Sequence, residues 1–151
     1  MKVAVTGSSG LIGTSLVSFL SKKDIVVSKI LRENPEDDDI SWKPEDGDWN
    51  SAFTGGVDGI IHLAGENIAS GKWTRKKKEK IRNSRIEGTK RLCEHILKLP
   101  TPPSVLVCAS AIGYYGNRGV EFLNEGSSRG SGFLPDVCLG WEEAAESVSK
   151  A

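Results

Sequence analysis

Apolar residues gather in four short runs: Val3-Ala4-Val5, Ile25-Val26-Val27 through Ile30-Leu31, Ile60-Ile61-His62-Leu63, and Val105-Leu106-Val107-Cys108. They are rich in β-branched residues and mostly continuous rather than alternating. That is the pattern of strands covered on both faces, hence of a parallel sheet. Stretches with helical spacing separate them. Leu11, Ile12, Leu16, Phe19 and Leu20 mark one apolar stripe. Ile81, Leu92, Ile96 and Leu97 mark a second, on a helix starting near Thr74, and Val137, Trp141, Ala144, Ala145 and Val148 mark a third. Between Arg32 and Val57 the helical signal fails. Asn34-Pro35 and the acidic run Glu36-Asp37-Asp38-Asp39 break it, Ile40-Ser41-Trp42 suits a short edge strand, and Pro44 and Gly47 turn the chain again.

Alternating strands and helices imply right-handed βαβ crossovers. The expected fold is α/β, a Rossmann-type doubly wound parallel sheet with strand order 3-2-1-4-5. A ligand would lie across the switch point between strands 1 and 4. The 151 residues suit one domain with its own core.

The chemistry begins at Val5-Thr6-Gly7-Ser8-Ser9-Gly10-Leu11-Ile12-Gly13, which joins the first strand to the first helix. Gly7 suits the sharp turn off the strand. Gly10 leaves room for a pyrophosphate, and Gly13 lets helix and sheet pack closely. The helix start, with Ser9, Leu11 and Ile12, offers free N–H groups and a positive dipole end to phosphates. No Gly-Lys-Ser/Thr follows, which excludes a P-loop. A residue at the end of the second strand, about 20 residues on, selects the cofactor: a carboxylate suits the ribose hydroxyls of NAD, an arginine the 2′-phosphate of NADP. Arg32 stands there and points to NADP(H); Glu33 beside it keeps NAD open.

Charge and composition narrow the partners. Twenty basic residues balance twenty acidic ones, unlike a general nucleic-acid or membrane-surface binder. The one basic cluster, Arg75-Lys76-Lys77-Lys78-Glu79-Lys80, reads as a solvated helix face, with an anionic partner as the alternative. Cys93, Cys108 and Cys138 are far apart and odd in number, as reduced thiols of a cytoplasmic protein would be. His62 and His95 lack metal-ligand spacing, so no metal is assigned. No apolar run reaches membrane-spanning length, and the first strand starts at once, so no signal peptide is expected.

Further segments carry a family resemblance: Leu63-Ala64-Gly65-Glu66-Asn67-Ile68, Ser84-Arg85-x-x-Gly88-Thr89, Ala109-Ser110-Ala111-x-Gly113-Tyr114-Tyr115-Gly116 and Trp141-Glu142-Glu143. With the glycine loop, they make the chain resemble the N-terminal half of epimerase-family proteins of the atypical short-chain dehydrogenase/reductase superfamily. These are also called nucleoside-diphosphate-sugar epimerases. The resemblance implies cofactor contacts at Leu31, Arg32, Leu63, Ala64 and Arg85. Leu63-Ala64-Gly65 would border the adenosine and ribose. It further implies a later strand and a substrate lobe, so that the chain reads as a fragment.

The resemblance also exposes departures. Catalytic members of the superfamily use a Ser/Thr with a Tyr-x-x-x-Lys pair on the helix after the fifth strand. The lysine lowers the tyrosine pKa, so the phenol can exchange a proton with substrate. Here no tyrosine follows Tyr115, no lysine lies between Lys98 and Lys150, and Ala111 takes the serine position. Tyr114 or Tyr115 could serve as general acid or simply pack. Ser110 could donate toward the nicotinamide or cap its own turn, and Glu66 could act as a base or hold its loop. Two function classes remain: an NADP-dependent oxidoreductase or epimerase of unidentified small-molecule substrate, and a non-enzymatic NADP(H)-binding regulatory or scaffold protein. An uncovered last strand would favour a homo-oligomer.

Overall fold

The computed structural model describes residues 1–33, 35–44 and 56–150. Asn34 and Gly47, both read above as turn residues, lie outside the described residues. The strands are β1 (Lys2–Thr6), β2 (Val26–Leu31), β3 (Ile40–Ser41), β4 (Gly59–His62) and β5 (Val105–Cys108). The α-helices are α1 (Leu11–Ser21), α2 (Arg75–Ile96) and α3 (Phe133–Glu146). The strands form one parallel sheet in the order β3-β2-β1-β4-β5, as the sequence pattern implies. β1 is central, with Thr6 opposite Ile30 of β2 and His62 of β4. The carboxyl ends of these strands therefore open together at the switch point.

Alternate residues of each strand face opposite helical layers. Ala4, Ile30, Ile60, Leu92 and Ile96 make the core under α2, with Ile40, Trp42 and Val57 closing it. Val3, Val5 and Leu20 make a smaller core under α1. Thr74 caps α2, its side chain accepting the Lys77 N–H, so the helix starts where the sequence places it.

Three packing expectations change. In α1 the inward face is Gly13, Leu16, Val17 and Leu20, whereas Leu11, Ile12 and Phe19 are 92%, 67% and 57% exposed. The reason is Gly13: a Cβ there would lie 2.1 Å from the Gly7 carbonyl oxygen, so the helix rests on its glycine. At 3.6 residues per turn, that contact orients positions three, four and seven residues on toward the sheet. Leu97, just past α2, is likewise exposed, and Leu99 is buried in its place. Finally, β5 is not covered on both faces. Leu106 packs toward α2, while Val105 and Val107 remain about half exposed, since α1 lies over β1 and β2.

Helix α3 packs along α2 at close range. A Cβ on Gly140 would come within 2.7 Å of Ile86 Cδ1. Among the described residues no helix is long and apolar enough to cross a membrane.

Candidate functional site

A cleft of about 530 Å3 opens at the carboxyl ends of β1, β2 and β4. That volume is typical of small-ligand sites. Its floor is the glycine loop. Gly7 has φ +67°, and a Cβ there would lie 2.8–2.9 Å from the backbone of Leu63 and Ala64, so the loop can pass β4 only as glycine. Gly10 differs. Its backbone is ordinary extended chain, φ −77° and ψ 175°, and a Cβ would meet only the Gly7 carbonyl oxygen, at 3.3 Å. A side chain at position 10 would need the Gly7 carbonyl to give by only a few tenths of an ångström, and it would stand at the cleft's edge.

Gly10 also caps α1 with no side chain, and the first turn carries no acidic residue. The N–H groups of Leu11, Ile12 and Gly13 and the positive helix end are therefore offered to a ligand. Ser8 Oγ is buried beside the cleft without a partner among the described residues. An orphaned hydroxyl, an uncapped helix and a bare glycine together fit a diphosphate.

The facing wall is Leu63-Ala64-Gly65-Glu66, and the N–H groups of Leu63, Ala64 and Glu66 are held by side chains. Thr6 Oγ1 accepts the N–H of Leu63 at 3.1 Å and of Ala64 at 3.2 Å. Both of its lone pairs are then used, so its proton goes to His62 Nδ1, 2.7 Å away. His62 is thereby neutral with its proton on Nε2, which donates to Thr89 Oγ1 of α2 at 3.0 Å. Burial pushes this imidazole down to about 4. Ser84 Oγ accepts the Glu66 N–H at 2.9 Å, and Arg85 donates to the Glu66 carbonyl at 3.0 Å.

Glu66 is engaged close to its own loop. Its carboxylate takes a 2.6 Å hydrogen bond from Lys77 Nζ, which holds it below the usual carboxylate range. Asn67 Oδ1 accepts the Ala69 N–H, so Glu66-Asn67 holds its loop. Lys77 is correspondingly drawn out of the solvated basic face, its side chain 13% exposed.

Gly7, Ser9, Gly10, Leu31, Arg32, Leu63, Ala64 and Gly65 all line the cleft, while Gly13 lies beneath it. Arg32 is exposed at its β2 end, with Trp42 and Pro44 beside it. Arg85 sits elsewhere: its guanidinium lies 5.1 Å from the Trp141 ring centroid, where a Cβ on Gly65 would approach it to 3.1 Å. It braces the wall at Gly65 and Glu66. Ser110, past β5, donates to Glu142 of α3 rather than capping its own turn. Tyr114 and Tyr115 stand edge to face in a short 3₁₀ turn and are half-buried. The Thr6–His62–Thr89 chain and the orphaned Ser8 escape sequence reading. A histidine inside a β-branched run is the one available signal, and its partners lie 56 and 27 residues away.

The family model described as the NAD dependent epimerase/dehydratase family matches residues 3–130. An epimerase family protein of Mycobacterium bovis is 36% identical over 150 residues, covering 99% of this chain and 49% of that protein. The crystal structure of a nucleoside-diphosphate sugar epimerase from Corynebacterium glutamicum is similar with a TM-score of 0.83 at 36% identity, over 99% of this chain and 31% of that one. That of human epimerase family protein SDR39U1 with NADPH also gives 0.83, at 30% identity, over 96% and 48%. The chain thus spans about half the length of the curated relatives it matches.

Proposed function

The chain belongs to the NAD dependent epimerase/dehydratase family, and on that premise we propose that it is an NADP(H)-binding short-chain dehydrogenase/reductase-like protein. The observation that carries this reading is the continuous cleft from the uncapped glycine loop to the exposed Arg32. The N–H groups of the loop and α1 would hold the pyrophosphate. Arg32 would pair with the adenosine 2′-phosphate, and Leu31 and Leu63-Ala64-Gly65 would pack along the nucleoside. The NADPH held by the human relative supports the same choice. When bound, the nicotinamide supplies a hydride donor or acceptor. This chain's residues orient it: the Thr6–His62–Thr89 chain and Ser84-Arg85 keep the facing wall in place without lending a free acid or base.

Isothermal titration tests the cofactor choice. NADPH should bind more tightly than NADH, and Arg32→Ala should remove most of the difference. The expected loss is ~1–3 kcal/mol, the scale of charge-assisted hydrogen bonds to a charged ligand. Equal affinities in the wild-type chain would sink the NADP(H) assignment.

A second reading, cofactor binding without turnover, is favoured by one feature of the polar groups. Glu66 is paired with Lys77 and Ser110 with Glu142, and the Tyr-x-x-x-Lys pair is absent from the sequence. This reading predicts no single-turnover absorbance change of bound NADPH with carbonyl compounds or nucleotide sugars. Turnover in the wild type that disappears in Tyr114→Phe or Tyr115→Phe would overturn it and make that tyrosine the acid.

A further inference from the structure

Beside the cofactor cleft lies a second recess of about 510 Å3, and the two share Arg32, Pro44, Glu66, Ser84 and Gly88 as walls. Its far side is the face of α2 on which Lys76, Lys80, Ser84 and Gly88 follow at four-residue intervals. Residues so spaced lie one above another on a helix. Ser84 is anchored to the Glu66 N–H and Gly88 lines the cleft, so this row fixes Lys80 one turn above Ser84, on the same side.

Among the described residues the recess carries four cations, Arg32, Lys76, Lys80 and Arg91, and three carboxylates, Glu66, Glu79 and Glu87. Lys77, Lys80 and Arg32 all act on the Glu66 carboxyl, which Lys77 already engages at 2.6 Å. Of the other groups in the recess, Arg91 donates to the Pro44 carbonyl, and Glu87 lies 4.0 Å from Arg82. Glu79 also lines the recess, next to Lys80 in sequence, a spacing at which helical side chains do not face each other. Arg32 and Lys80 have no hydrogen-bond or ion-pair partner among the described residues. Helix α2 also begins with four consecutive cations and no acid in its first turn, a placement its own dipole disfavours. An anion seated between β2 and α2 would relieve both conflicts.

We propose that Lys80 joins Arg32 as the second cation of the 2′-phosphate seat, so that NADP(H) is selected jointly by the end of β2 and the early turns of α2. The proposal rests on the cofactor reading above and adds a specificity residue to it. A phosphate dianion held by cations from two elements is recognised by position as well as by charge.

The test is isothermal titration of the full chain with NADPH, NADH, 2′,5′-ADP and 5′-AMP, for wild type, Lys80→Gln, Arg32→Ala and the double variant. Lys90→Gln, elsewhere on α2, serves as control. Lys80→Gln should weaken NADPH and 2′,5′-ADP about fivefold, the worth of one partly exposed cation, while leaving NADH and 5′-AMP unchanged and flattening the salt dependence. The double variant should show no preference, and Lys90→Gln should match wild type. Unchanged NADPH affinity in Lys80→Gln, or an equal loss for NADPH and NADH, overturns the role of Lys80 while wild-type preference for NADPH keeps the cofactor reading intact. No preference in the wild type overturns both. Lys80 is exposed, so an unchanged melting temperature shows that the variant is folded.

Discussion

Replacing Gly10 with valine should abolish NADPH binding and leave the fold standing, whereas the same change at Gly13 should destroy both. The two glycines sit three residues apart and differ in what surrounds them. At Gly10 the backbone angles suit any residue, and an added Cβ meets one carbonyl oxygen at 3.3 Å. Substituting a helix-cap glycine by an apolar residue costs about 1 kcal/mol, which a domain of this size survives. The isopropyl group would instead fill the space above the loop where a diphosphate must approach the N–H groups. At Gly13 a Cβ would lie 2.1 Å from Gly7 O and 2.7 Å from Ser8 Cα, both backbone atoms with no rotamer to change. The cost should exceed the ~1–3 kcal/mol of ordinary overpacking. Urea unfolding and titration with NADPH, run on both variants, separate the effects. Normal NADPH binding by Gly10→Val would show that the loop is not the phosphate site.

Acid should weaken the fold well before the carboxylates titrate. His62 is neutral and buried, with its pKa pushed from 6.5 to about 4. The unfolded chain therefore binds a proton that the folded chain refuses throughout that interval. Stability is complete above pH 6.5 and falls as pH drops toward 4. A depression of this size corresponds to about 3 kcal/mol, a large part of a typical domain's stability. The geometry gives the reason for refusal. A protonated Nδ1 must donate, yet it faces a Thr6 hydroxyl whose lone pairs already hold the Leu63 and Ala64 N–H groups. Protonation would turn that hydroxyl away and loosen the wall of the cleft. Glu66, held low by Lys77, adds its own loss only below its ordinary 4.5. Urea midpoints from pH 7.5 to 4.5 should fall steeply in wild type and much less in His62→Gln. Parallel slopes for the two proteins would refute the assignment.

The sheet was legible because its information is local. Continuous β-branched runs, three glycines in a strand-to-helix turn and Thr74 before a long helix each act within a few residues. What the sequence concealed depends on distance. The face of α1 is set by Gly13 pressing on Gly7, and apolar spacing alone cannot distinguish that face from one led by Leu11 and Ile12. The open side of β5 reflects which strands α1 lies over, and an apolar run carries no record of that. Within the site, Gly7, Gly10, Arg32 and Leu63-Ala64-Gly65 were readable from motif and strand position, and all of them line the cleft. Arg85 was readable as a motif residue, but its contacts with the Glu66 carbonyl and the Trp141 ring needed three elements to be brought together.

Amide NMR of the 16.3 kDa chain during titration with NADPH shows directly whether the cofactor binds in this cleft. Saturable one-to-one shifts should appear at Gly7–Gly13, Leu31, Arg32 and Leu63–Glu66, leaving the carboxyl-terminal turns of α3 unmoved. Shifts centred on another surface, or none that saturate, would show that the cofactor does not bind in this cleft.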